Sequence, residues 1–247
     1  MKGLHVAKSA DKQVFQVEIP LKIDTAAVIK RLKPRGGSER MEQMAARMEK
    51  TTAELAEKAL SIAKPKAIYR ISRSRVIDRG TVEIDGVRFT SRSLSRCLEN
   101  QPVVYPLLAT AGRELDDMPT SPGDLMMQYT LDTIKMVILF SAAEYLTDYI
   151  KEKHSLRGTA ALNPGEFADF PVTQQKPLFK LFGDTAESLI GVTLTSGCAL
   201  KPTKSRSGIL FPNETGFMSC KLCTMVKCPG RRAAYDPAEV EKYITAD

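Results

Sequence analysis

Cys220, Cys223 and Cys228 stand close together in the run Cys220-Lys-Leu-Cys223-Thr-Met-Val-Lys-Cys228. A CxxC turn lets two thiolates reach one metal atom or cluster, and a third cysteine just beyond supplies another corner. Thiolates are soft ligands that suit zinc or iron–sulfur clusters. The spacing leaves the choice between zinc and [4Fe–4S] open. It also leaves open the alternatives of unligated thiols and a redox disulfide. The fourth ligand is expected from Cys198, whose neighbours Ser196-Gly197 mark a loop at a strand end. Cys97 lies in an apolar helical turn and reads as a small hydrophobe that packs. His5 and His154, the two histidines, are too scattered for a catalytic pairing and read as surface residues.

Pro229 follows Cys228, as proline does in bacterial cluster-binding runs. Lys221, Lys227, Arg231 and Arg232 flank the cysteines. They would favour a dianionic cluster, or they are simply solvated.

The composition, 43% hydrophobic and 26% charged over 247 residues, is that of a globular chain with a sizeable core. The net charge of +7 is spread in short runs, with no aromatic RNA-binding motif or DNA-binding signature beside it. Nucleic acid is therefore not the expected partner. The most apolar stretch, Met136–Phe140, falls far short of the ~20 residues that cross a bilayer. The first residues carry no apolar signal core. A cytoplasmic protein with reduced thiols is the expectation.

These residues need elements to hold them. Val14–Ile19 reads as a strand, 25–32 as a short helix behind Asp24, and 39–63 as a helix carrying Met41, Met44, Met48 and Leu55. Ala67–Ile71 and Val76–Ile77 read as strands. Val82–Phe89 alternates around Asp85-Gly86, the pattern of a hairpin. Ser93–Leu98 is a helical turn, and Val103–Thr110 a buried strand. A long helix over 124–151 is apolar almost all round, so it should be central to the core. His154–Phe170 reads as a loop, 174–182 as a helix, Val192–Thr195 and Ser207–Phe211 as strands, and 237–244 as a final helix. Strands and helices mix without a βαβ rhythm, which argues for an α+β fold. The expected division is an N-terminal strand and helical subdomain over 1–66, then a larger domain over 67–247.

From about residue 100 the chain resembles the activation (reactivation) domain of vitamin B12-dependent methionine synthase, in its stand-alone form. The likeness is carried by Tyr105–Gly112 with Glu114-Leu115, by Gly123-Asp124 and Leu131-Asp132, and by Asn163-Pro164-Gly165 with Phe170-Pro171. It continues through Gln174–Phe179, Ile190–Thr195 and Pro202–Gly208. The Arg70–Phe89 region fits more loosely. Stand-alone members look similar in carrying the cysteine run followed by Pro229–Asp236.

The resemblance implies a twisted, mostly antiparallel sheet flanked by helices. It implies S-adenosylmethionine as methyl donor, and docking on a corrinoid protein that carries the cobalamin. It further implies reductive activation of Co(II), with the electron passed from a low-potential donor through a 4Fe-4S cluster on Cys198, Cys220, Cys223 and Cys228. Loop 161–166 and strand 204–211 would line the S-adenosylmethionine cleft, with Asn163, Pro164, Gly165, Ser207 and Gly208 as its binding residues.

The chain departs from the family pattern at that cleft. Ala161 stands where the family has a carboxylate-binding Arg, and Glu166 where it has Tyr. Phe140 replaces an acidic helix residue, and Leu210 a late-strand Tyr. Loss of the Arg removes a charge-assisted contact worth roughly 1.5–3 kcal/mol. These departures weaken the S-adenosylmethionine expectation more than the fold or the corrinoid partner; the cleft would hold a different ligand or the partner itself. The contrasting expectation is a noncatalytic module stapled by zinc, binding a partner protein or nucleic acid through its basic surface.

Overall fold

A computed structural model of the chain describes residues 13–20, 28, 39–118, 123–228 and 230–246. The elements in chain order are β1 (Val14–Glu18), α1 (Glu39–Ile62), β2 (Lys66–Arg70), β3 (Ser72–Asp78), β4 (Thr81–Ile84), β5 (Val87–Thr90) and α2 (Arg92–Leu98). Then come β6 (Val103–Thr110), α3 (Leu125–Lys153), β7 (Thr159–Leu162), α4 (Gln175–Phe182) and α5 (Thr185–Ile190). The chain closes with β8 (Thr193–Leu194), β9 (Leu200–Lys201), β10 (Ser205–Pro212) and α6 (Pro237–Val240), which runs into a wider turn over Glu241–Thr245.

The main sheet is built on β6, and every pairing in it is antiparallel. One edge of β6 takes β2 and then β3; the other takes β10, which in turn pairs with β7. Strand β1 adds to β2, with Phe15 opposite Tyr69. The β4–β5 hairpin closes through Asp85 (φ 46) and Gly86 (φ 81), the double left-handed turn that Asp-Gly favours.

Both faces of the central strands are buried, which is why Val103–Thr110 is a nearly unbroken apolar run. Alternation assigns each residue to a face. Ile68, Leu108 and Ile209 face a cluster built with Phe170, Leu178, Leu181 and Ala186. Tyr69, Leu107 and Leu210 face the other way, onto Ala143, Leu146 and Ile150 of α3. The first half of α3 serves another contact: Leu131, Ile134, Val137 and Ile138 pack with Leu55, Ala56 and Ala59 of α1. Two different partners on two halves of one helix account for its apolar circumference.

Two sequence expectations change. Residues 159–162 form strand β7, not loop. Thr-Ala-Ala-Leu has little intrinsic strand preference, and the pairing is imposed by β10, with Leu162 opposite Ile209 and Thr159 opposite Pro212. His154 is half-buried and not freely exposed: it caps the end of α3 and packs on Tyr69 and Tyr105. Its Nε2 is 3.1 Å from the Tyr69 hydroxyl, and its ring centroid is 4.9 Å from that of Tyr105. The expected helix over 25–32 and the side chains of Met41, Met44 and Met48 lie outside the described residues.

Burial, and then the Lys153 charge, hold the His154 imidazole below its ordinary pKa. A depressed folded value means that the unfolded chain binds the proton more readily. Stability contributed by neutral His154 is therefore complete above the unfolded value of about 6.5 and is lost as pH falls toward the folded value. The expected outcome is a urea midpoint that drops more between pH 7.5 and 5.5 in the wild type than in His154→Gln. Equal drops would refute it.

Candidate functional site

The cavity that matters lies between α3, the β7–β10 pair and the segment 213–232, and encloses about 680 Å³. That is within the range of roughly 300–1,000 Å³ usual for small-molecule sites. On the α3 side it is lined by Phe140, Glu144, Asp148 and Lys151. Phe140 to Lys151 is eleven residues, about 16 Å along a helix. On the sheet side it is lined by Ala161, Asn163, Arg206 and Leu210. The third wall includes Gly230, Arg231 and Arg232 from the cysteine tail.

The sheet wall is a small polar network. Arg206 Nη2 is 3.3 Å from Glu166 Oε1, Arg206 Nε donates to Asn163 Oδ1 at 3.3 Å, and Asn163 Nδ2 donates to Glu166 Oε1 at 2.5 Å. Glu166 thus stands as the counter-ion of Arg206. Gly208 has a steric reason to be glycine, since a Cβ there would overlap Asn163 Oδ1. Ser207 is buried and points to the opposite face, where its hydroxyl donates to Gln175 Oε1 at 2.7 Å. Pro164 is buried, while Gly165 turns the loop at φ 94 and its amide donates to Phe170 O at 2.7 Å. Of the five binding residues expected from sequence, Asn163 lines the cavity; Pro164, Gly165, Ser207 and Gly208 are outside its lining and shape or back its wall.

Asp169 is a residue that sequence reading missed. Its carboxylate accepts from the amide and hydroxyl of Ser93 (2.9 and 2.6 Å), from the Ser91 hydroxyl (2.7 Å) and from the Arg92 amide (3.1 Å). It therefore ties the site loop to the start of α2. The Ser91-x-Ser93 start of that helix was the only available signal, and it does not reveal a cap supplied from 76 residues away.

Cys220 lies in a single 3-10 turn over Ser219–Leu222, Cys223 ends that turn, and Cys228 is on the loop beyond it; all three are half-buried, with free thiols. Arg231 organises that loop. Its Nε donates to Met225 O (3.1 Å), Nη1 to Ala233 O (2.7 Å) and Cys220 O (3.3 Å), and Nη2 to Cys223 O (2.8 Å) and Met225 O (2.6 Å). Carbonyls of the cysteine loop thus turn toward one guanidinium. The loop also meets the cavity: a Cβ added at Gly230 would lie 3.4 Å from Phe140 Cζ and 4.0 Å from Cys228 Sγ. Lys221 is drawn toward Glu239 at 3.9 Å.

Cys198 is buried at the β8–β9 turn, in the left-handed region at φ 64. It precedes β10, whereas Cys220 follows it, and that strand of eight residues is about 24 Å long. Among the described residues, no group of three or more His, Cys, Asp and Glu side chains is assembled to hold a metal. The three thiols of 220–228 suit a soft metal or cluster in chemical type, but among the described residues they are not brought together as a ligand set. Cys97 packs against the core, and burial pushes its thiol well above its ordinary pKa. Arg157 stands off at the surface, 3.9 Å from Glu214.

No protein-family profile matches the sequence, and no curated protein does. Among solved structures, the crystal structure of the MetH reactivation domain bound to AdoHcy aligns over 96% of this chain and 92% of that one, with TM-score 0.63 and 16% identity. The chain has the fold of the MetH reactivation domain. The expected α+β architecture, a mostly antiparallel sheet flanked by helices, is the one observed. Among the described residues no helix is long and apolar enough to cross a membrane.

Proposed function

We propose that the chain reactivates a corrinoid protein, taking cobalamin in the Co(II) state as substrate. The observation that carries this reading is the shared wall: on a reactivation-domain fold, one segment bears both the cysteines and a side of the ligand-sized cavity. One electron from a low-potential donor reduces Co(II) to Co(I). Co(I) then attacks the methyl carbon of S-adenosylmethionine. Both electrons of the new Co–C bond come from cobalt, and the C–S pair stays on sulfur, leaving AdoHcy.

A [4Fe–4S] cluster would supply the single electron. Cys220, Cys223 and Cys228 would hold it, with Cys198 as the fourth ligand only if the β8–β9 turn and the cysteine loop approach one another. Arg231 would keep the loop in shape. The cavity would take the methyl donor, with Glu144 and Asp148 facing its cationic centre and Phe140 giving an apolar surface to its base. Arg206, neutralised by Glu166, would order the wall.

The test is iron, sulfide and zinc content on protein purified without oxygen, followed by Co(II) reduction in a corrinoid protein. About four iron and four sulfide per chain, with faster Co(II) loss, is the expected result. One zinc and no effect on Co(II) would replace this reading with that of a zinc-stapled binding module.

A further inference from the structure

Three arginines line the cavity, and two of them are committed. Arg206 is held by Glu166 and Asn163. Arg231 spends its donors on backbone carbonyls. Arg232 is exposed, lines the cavity, and has no hydrogen bond or ion pair among the described residues. An uncommitted guanidinium at a cavity wall is available as a bidentate fork for a planar anion.

Resting on the proposed function, we infer that Arg232 is the carboxylate anchor of this cavity. It holds the amino-acid end of an adenosyl thioether or sulfonium ligand, a task that Ala161 cannot perform. Position 161 places only a methyl group in the cavity wall, opposite Leu210 on β10. The anchor therefore stands on the cysteine tail and not on the sheet. The remaining charges suit such a ligand, because Glu144 and Asp148 lie one helical turn apart on α3 and face its ammonium or sulfonium. Lys151 is the other uncommitted cation of the lining among the described residues. Its ammonium is a point charge without the bidentate geometry of a guanidinium.

The same tail then carries the cysteines and the ligand anchor. Ordering of the cysteine loop by a metal would position Arg232, so ligand affinity should rise when the loop is loaded.

The experiment is calorimetric binding of AdoHcy and of its carboxamide, in which NH2 replaces one carboxylate oxygen and the negative charge is lost. The wild type should prefer AdoHcy by roughly 10- to 100-fold, the range expected of a charge-assisted bidentate contact. Arg232→Met should bring that ratio close to one, Arg232→Lys should restore part of it, and Lys151→Met should leave it unchanged. Because the Arg232 side chain is exposed and makes no hydrogen bond or ion pair among the described residues, its variants should melt as the wild type does. The assignment is overturned if the wild type shows no preference or binds neither probe, if Arg232→Met keeps the preference, or if Lys151→Met abolishes it. Corrinoid Co(II) reduction with the loaded protein, measured without nucleotide, reports separately on the proposed function. Its survival alongside a failed binding result would remove only the role of Arg232.

Discussion

Arg231→Met should expose Cys220, Cys223 and Cys228 to alkylation at least tenfold faster than in the wild type, with Cys97 unchanged. The guanidinium makes five hydrogen bonds to four carbonyls, drawn from Cys220, Cys223, Met225 and Ala233. A charge-assisted bond contributes about 1.5–3 kcal/mol when buried. This loop is half exposed, so water replaces much of what is lost, and a net loss near the value of one such bond is expected. At about 1.4 kcal/mol per factor of ten, that is a ten- to hundredfold shift toward the open loop. Arg231→Lys should rescue little, since an ammonium lacks the planar fork that reaches several carbonyls together. Iodoacetamide labelling followed by peptide mass analysis reads all cysteines in one experiment. Equal rates in wild type and variant would mean that the loop holds its shape without Arg231. The same variant should take up less iron under reconstitution.

Gly208→Ala should lower stability by about 1–3 kcal/mol, as overpacking does. For a chain of this size that is a fall in melting temperature of roughly 2–12 °C. The added methyl would overlap Asn163 Oδ1 and come within 3.3 Å of Leu162 O. The Leu162 carbonyl is fixed by its strand, so Asn163 must retreat, giving up its bonds with Arg206 and Glu166. Asn163→Ala removes the obstructing amide. The double variant Gly208→Ala/Asn163→Ala should therefore be more stable than the sum of the single effects indicates. Thermal unfolding of the four proteins checks this, and strict additivity would show that the overlap is relieved elsewhere.

The two positions show how differently sequence and fold speak. Cys220, Cys223 and Cys228 are legible as a soft-ligand set because their relation is local: nine residues of chain fix which thiols share a loop. The same locality makes the Asp85-Gly86 hairpin and the ends of α3 readable, since left-handed turns, caps and apolar periodicity are written in neighbouring residues. The doubly buried strand β6 is readable too, because burial on both faces leaves an unbroken apolar run. Resemblance to a known domain extended this to the whole architecture.

What depends on contacts between distant segments is not written locally. Ala160 and Ala161 become strand only because β10 offers them a partner. Cys198 has the right chemistry for a fourth ligand, but its turn precedes β10 while the other cysteines follow that strand. His154 is drawn into a tyrosine cluster by the end of α3 and by β2. Arg206 and Arg232 look equivalent in sequence as basic residues near the site. Only the tertiary structure separates them: Glu166, 40 residues away, neutralises the first, and among the described residues nothing neutralises the second. Composition determined which charges the chain carries; the packing of β7 on β10 and of the cysteine tail against α3 decided which of them remains available to a ligand.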